Sequence, residues 1–377
     1  MLKSFLFCSL VVGLYAQTVI AGVEDLQAKF ESQKQLLSTS FNQQKSQQVD
    51  RFEQAKLAYR DSFLNAQKRF SQQWDTPVLS SATTWVSYSE GDKVRRSLDF
   101  ESGAYTIEVL GDKTQAQIDA IVVQQTERLL SATSSSAIKS DPVLNQIVSN
   151  NTPSNTPSNK LFTELDSTVI TATKQQSAYR QAQGSKVTTV TMRFPQDKLS
   201  QRALQYIPQI KKQAHKWQVD PALIIAIMHT ESHFNPVAQS HIPAYGLMQI
   251  VPYSAGRDVT RVHQGQERVL SADELFVPDY NIEVGSAYLN ILEQRYLNDI
   301  ADPNTRTFVA ISAYNGGVGA VAKHFSGTGS LNKLAQSVNR MSSQQVYHSL
   351  VDDFPYKETR DYLKKVESKR QYYAPYF

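Results

Sequence analysis

Hydrophobic positions change their rhythm three times along the chain. From residue 23 to 76 there is neither Gly nor Pro, and large apolar side chains return every eleven residues. Phe30, Phe41, Phe52, Phe63 and Trp74 form one row; Leu26, Leu37, Tyr59 and Phe70 form a second, with Gln48 as its gap. Eleven residues are about three helical turns, so both rows share a narrow face that drifts only ~20° per repeat, and the spacing predicts a long helix or helical hairpin. The aromatic seam is either covered by the protein's own second domain or offered to a partner chain. A long uncovered stripe would aggregate, which favours the first reading.

The second rhythm is alternation. "TTWVSYS" (83–89), "KVRRSLDF" (93–100) and "AYTIEVL" (104–110) are separated by short Gly-bearing turns and read as a meander. A helix is expected over 115–130, then a polar stretch that includes "SNNTPSNTPSNK" (149–160), then a fourth strand, "KVTTVTMRF" (186–194). Because a strand still follows it, the polar stretch reads as a loop inside a small α+β domain rather than a boundary. This half offers no catalytic constellation.

After Pro195 the pattern is wholly helical. Helix starts fall at Asp220-Pro221, Pro278-Asp279, Asp302-Pro303 and near Lys357, and the first three set a potential capping Asp beside Pro. The expected organisation is a leader over 1–21, an N-terminal domain over 22–194 and an all-α domain over 195–377. In the leader Lys3 is the only charge, and Val19-Ile20-Ala21 precedes Gly22 as a secretory cleavage site requires. Ser9 and Gln17 interrupt its apolar run, which argues against a membrane span, and no later segment approaches one.

Composition sharpens this picture. With 41% hydrophobic and 10% aromatic residues in 377, the chain is globular material rather than a disordered polymer. The net charge of +4 is spread without blocks, which argues against nucleic acid and suits an anionic wall polymer. The only cysteine, Cys8, lies in the leader behind Phe7, a side chain too bulky for the lipoprotein cleavage pattern. The expectation is therefore an exported periplasmic protein with no lipid anchor, no transmembrane segment in its mature chain and no disulfide.

The candidate chemistry gathers around Glu231. Asp220 can cap a helix whose stretch from Leu223 to Met228 has no polar face, so the helix must be surrounded by others. Glu231 falls in its last turn, where desolvation and the negative helix end both disfavour the carboxylate. A glutamic acid still protonated near neutral pH is what glycosidic cleavage needs, because the leaving oxygen must receive a proton. By position alone, a Glu in a last helical turn is more often a solvated surface residue. A two-carboxylate hydrolase would need a second acid, and none lies between Ser232 and Arg257; nothing in the setting of Asp258, Glu267, Asp273, Glu274 or Glu283 marks a partner. His229 and His233 flank Glu231 as H-T-E-S-H, which swings the carboxylate about 100° from its place in the zincin pattern H-E-x-x-H. No metal and no cofactor is implied.

Glu231-Ser232, Asn235-Pro236, Ser240, "GLMQI" (246–250), "AYNGG" (313–317) and "ETRDYLKKV" (358–366) together resemble, in order, the motifs of family 1 lytic transglycosylases. The likeness covers about residues 200–370, and the mixed domain ahead resembles that of a membrane-bound member. That member is a lipoprotein, whereas here no Cys follows the leader. The resemblance implies an α+β N-terminal domain with a long helical segment followed by an all-α lysozyme-like catalytic domain, acting on peptidoglycan glycan strands. It makes Glu231 the sole acid and base: first proton donor to the MurNAc-GlcNAc bond, then acceptor from the MurNAc O6 hydroxyl, which closes on C1 as a 1,6-anhydro sugar without water. It assigns Ser240 to the N-acetyl region, Met248 and Gln249 to a groove wall, Tyr314 and Asn315 to orienting acid and sugar, and Tyr362 to the last helix. Each has a plainer alternative: Met248 as core filler, the tyrosines as packing aromatics, Asn315 as a helix cap. Two rival functions stay open at this point, a goose-type lysozyme-like hydrolase and a wall-binding scaffold acting through its aromatic helix.

Overall fold

The computed structural model describes residues 2–148, 160–161, 174–182, 184–194 and 202–377. The chain divides into two compact units, Met1–Ala55 and Lys56–Phe377. The first unit is helical; the side chains of the predicted leader, and those of Leu26, Leu37, Phe41 and Gln48 in the seam, lie outside the described residues. Phe30 is 64% exposed. Among the described residues no helix is long and apolar enough to cross a membrane.

In the second unit the end of helix α1 (Leu2–Phe70) meets a five-stranded antiparallel sheet. The strands are β1 (Thr84–Ser89), β2 (Val94–Asp99), β3 (Ala104–Leu110), β4 (Gln175–Arg180) and β5 (Lys186–Arg193), in the order β1-β2-β3-β5-β4. Here the eleven-residue seam is covered from within. Tyr59, Phe70 and Trp74 are buried with Leu110 and Val187, and Phe63 packs beside them. Phe70 stacks on Tyr88, the Trp74 indole N–H donates to the Asp92 carbonyl at 2.7 Å, and the Arg95 guanidinium lies 4.4 Å over the Trp74 ring. The three meander strands and β5 match the alternation, but β4 escaped it. All six of its residues are exposed on a sheet edge, so its sequence, QQSAYR, carries no apolar alternation. The other sheet face is covered by α2 (Gln115–Leu130), which begins at a Thr114 capping box, and by α3 (Ser134–Ser140), while α4 (Leu144–Ile147) puts Leu144 in that core and Ile147 beside the seam.

The helical region consists of α5 (Ile207–Trp217), α6 (Pro221–Ser232), α7 (Arg257–His263), α8 (Ala272–Leu275), α9 (Pro278–Ile291), α10 (Pro303–Gly316), α11 (Val318–Ser326), α12 (Leu331–Val338), α13 (Ser343–His348) and α14 (Lys357–Tyr373). Helix α6 is its axis: every residue from Ala222 to Met228 is buried, as an all-round apolar helix requires, and α14, α5 and α9 pack against it. Asp220 and Asp302 cap as expected, accepting the Ala222 and Thr305 amides at 2.8 and 2.7 Å. Asp279 does not, because α9 starts at Pro278 behind Val277 and leaves Asp279 inside the first turn. One hydrophobic core continues from Trp85 on the sheet to Tyr373 on α14.

Candidate functional site

Helix α6 stops at Ser232 because the next two residues, His233 and Phe234, take left-handed backbone angles, φ 49° and 63°. Non-glycine residues there carry strain that the surrounding packing must hold. The chain then folds back, and Gly246 to Ile250 comes to rest beside the end of α6. Three side chains from three helices fix that turn. Ser232 donates to the Leu247 carbonyl at 2.8 Å, and Tyr314 on α10 donates to the Met248 carbonyl at 2.8 Å. Asn281 on α9, with no exposed surface, accepts the Met248 amide and donates to the carbonyls of Tyr245 and Leu275, all at 2.8 Å. Gly285 leaves room for Met248, whose sulfur would lie 2.2 Å from a Cβ at that position. Gly246 is required twice over: its φ is +75°, and a Cβ would sit 2.4 Å from both Asn281 Nδ2 and the Leu275 carbonyl.

Glu231 is partly buried at the mouth of this arrangement. Burial raises its pKa to about 7, with Glu358 on α14 pushing the same way, while a hydrogen bond from the Tyr362 hydroxyl to Oε1 at 2.7 Å pulls it back. Tyr362 is itself buried and its own pKa lies well above 10, through burial first and the Glu231 charge second, so it remains a donor. The result is a carboxyl group that holds a proton near neutrality, with one oxygen fixed and the other free to meet a substrate oxygen.

The structure brings together most of the residues the sequence singled out. Tyr314 and Tyr362 reach the turn and the acid directly. Asn315 is held by α14, accepting from Thr359 at 2.7 Å and donating to Glu358 at 3.5 Å; it is not the cap of α10, whose helix runs on to Gly316 with Gly317 as cap. Ser240 is partly exposed, its hydroxyl donating to the Ile242 carbonyl. Gln249, at φ 47°, is 9% exposed and turns its amide back to the Gly246 carbonyl at 3.0 Å. Met248 corrects the groove-wall expectation: its side chain has no exposure and fills the core against Gly285, so only its backbone faces the site residues. The two histidines point elsewhere, with His229 Nδ1 paired to the Tyr373 hydroxyl at 3.0 Å. Asn281 and Glu358 were missed. Both are far from Glu231 in sequence, and no local pattern announces an amide or an acid that acts on a distant turn.

An acid at the end of a buried helix, set beside a locked turn, is the arrangement that comparison with known proteins assigns to a family. The profile described as "Transglycosylase SLT domain" matches residues 208–337. The chain is 34% identical to the membrane-bound lytic murein transglycosylase C of Photorhabdus laumondii over 310 residues, 78% of this chain and 84% of that protein. The same protein of Salmonella arizonae matches at 34% over 307 residues, covering 78% and 83%, and that of Haemophilus ducreyi at 33% over 303, covering 78% and 81%. Among solved structures, the 70-kDa soluble lytic transglycosylase of Escherichia coli aligns with a TM-score of 0.36 and 27% identity, over 45% of this chain and 24% of that one. The chain belongs to the lytic murein transglycosylase family, alongside the C-type members just named.

These relatives overturn one expectation. They are named membrane-bound, which conflicts with a periplasmic protein free of any lipid anchor. That expectation rested on the bulk of Phe7 before Cys8, a statement about one cleavage pattern that carries no physical information on how the folded protein is held at a membrane.

Proposed function

We propose that this protein is a peptidoglycan lytic transglycosylase that cleaves the MurNAc-GlcNAc β-1,4 bond with Glu231 as its one acid and base. The observation that carries the reading is the pairing of a half-dry carboxyl group, its pKa near 7, with the Tyr362 hydroxyl beside the locked turn. Glu231 begins protonated and gives its proton to the glycosidic oxygen as the bond to C1 breaks. The anionic Glu231 then accepts the proton of the MurNAc O6 hydroxyl, whose oxygen closes on C1; the acid is restored and no water is consumed. Tyr362 holds the carboxylate between the two steps, when its negative charge is least welcome in a dry site.

In this reading Ser240 meets the N-acetyl group, Gln249 lines the wall, and Tyr314 and Asn315 fix the orientation of the turn and of α14 against it. Residues 195–377 form the catalytic domain, residues 22–194 the N-terminal domain, and residues 1–21 an export leader. Glu358 favours a second reading, hydrolysis, because it is a carboxylate close enough to act on Glu231. The test of the first reading is Glu231→Gln, which keeps the shape and removes the transferable proton. Release of soluble muropeptides from purified murein sacculi should fall by about 10³-fold or more. Unchanged release would assign the chemistry elsewhere.

A further inference from the structure

Asp141 is a carboxylate with no exposed surface, in the half of the chain that supplies none of the groove residues. One oxygen accepts the Val143 and Leu144 amides, both at 2.9 Å, and so starts α4. The other accepts from Gln239 Nε2 at 2.9 Å, across 98 residues of sequence. Gln239 is likewise without exposure and stands next to Ser240, with its backbone bridged to Tyr245 just before the locked turn.

The pairing is directional. A glutamine amide can present either end, but only its N–H₂ end can face a carboxylate, so Asp141 decides which way Gln239 points. The consequence is visible: Gln239 Oε1 is buried with no hydrogen-bond partner. An unmet buried acceptor is unfavourable and persists only where a stronger, charge-assisted bond fixes the group. Burial pushes the Asp141 carboxyl up, while hydrogen bonds from Ser80, the Leu144 and Val143 amides and Gln239 pull it back. A second anchor lies at the other end of the same loop, where Asn235 Nδ2 donates to the Ala82 carbonyl at 3.1 Å and Asn235 Oδ1 accepts the Val237 amide at 3.1 Å. Both anchors come from the sheet-bearing half. Between them and the turn, Ser240 is partly open and the next two residues, His241 and Ile242, are exposed.

We infer that Asp141 is a positioning residue for the substrate loop: through Gln239 it sets the backbone that presents Ser240, so the N-terminal half of the chain is part of the groove's framework. The role of Ser240 toward glycan rests on the proposed function; the setting of the loop does not.

The test uses the full chain and two readouts. Amide hydrogen exchange across residues 236–250 should rise about tenfold or more in Asp141→Ala, the loss of one charge-assisted bond, while α6 and α14 keep their protection. Asp141→Asn should restore most of it, because Gln239 can turn its amide to pair with an amide. In the murein assay, kcat/KM should fall about tenfold in Asp141→Ala and fall no further when the change is added to Ser240→Ala. Loop exchange that stays at the wild-type rate, or losses that multiply in the double variant, would overturn the inference. Should Asp141→Ala not fold, Gln239→Met removes the same bond from the other side and is read in the same way. A wild type that cleaves nothing counts against the proposed function, and the exchange arm then decides on Asp141 alone.

Discussion

Helix α6 carries a carboxylate at each end, and the fold treats the two in opposite ways. At its start Asp220 caps the first turn, where the helix dipole welcomes a negative charge, and its second oxygen pairs with Arg370 at 3.0 Å. At its end Glu231 meets the negative pole of the same helix with a tyrosine hydroxyl for a partner and a second carboxylate nearby. One acid is spent on structure, while the other is kept protonated and, in the proposed function, is the proton donor. The difference lies in the surroundings, since the helix is apolar from Pro221 to Met228. A raised pKa alone would not have chosen Glu231, because burial also lifts Glu293 to about 7, with Asp220 adding to it and Arg306 and Arg370 opposing. What separates Glu231 is the turn built beside it.

The comparison breaks most visibly by exchanging the two acids for their amides. Glu231→Gln should lose about 10³-fold or more in muropeptide release, whereas Asp220→Asn should keep most activity and, because asparagine caps a helix about as well as aspartate, lose only the partly exposed Arg370 pair, about 0.5 kcal/mol, in denaturant titration. Stability should answer in the reverse sense for Glu231. Its folded pKa of about 7 lies above the ordinary value of 4.5, so its contribution is fully present below pH 4.5 and is lost as pH rises through 7. Glu231→Gln, neutral throughout, should therefore be more stable than wild type at pH 8, by up to ~3 kcal/mol before discounting for partial exposure, and no more stable at pH 4. Equal gains at both pH values would contradict a dry, protonated acid.

Smaller changes sharpen the account. Gly246→Ala forces a Cβ onto Asn281 and the Leu275 carbonyl at positive φ, and should cost about 2 kcal/mol or more along with much of the activity, read by thermal unfolding and turnover. Tyr362→Phe removes the bond that lowers the Glu231 pKa, so the alkaline limb of the pH–rate profile should move to higher pH while the rate falls about tenfold. Glu358→Gln removes a raising charge, so the same limb should move to lower pH with only a ~2-fold change in rate near pH 6. If the two variants moved the limb in the same direction, at least one of the two assignments would be wrong.

Much of this was legible in the sequence, for reasons specific to each element. Helix α2 and the meander strands follow from apolar spacing because each has one buried face, and α6 followed from having no polar face at all. Strand β4 was not legible, since an edge strand exposed at every residue has no pattern to read. Glu231 was legible because burial and helix polarity, which act locally, made it plausible, while Ser240, the stretch 246–250 and Tyr314, further along the chain, are what singled it out. Asn281 and Glu358 were not, because their meaning comes from which turn and which acid they touch after folding. Met248 shows the converse: the motif placed the residue correctly along the chain, but only tertiary packing against Gly285 decides that its side chain points into the core.

The central claim is that C1 is closed by the substrate's own O6 hydroxyl, whose proton restores Glu231, rather than by water. Digestion of purified murein sacculi in H₂¹⁸O, followed by mass spectrometry of the released muropeptides, reads this directly. The account predicts 1,6-anhydroMurNAc at every newly made end with no ¹⁸O taken up there. Reducing MurNAc ends carrying ¹⁸O would contradict it and give Glu358 a part in activating water.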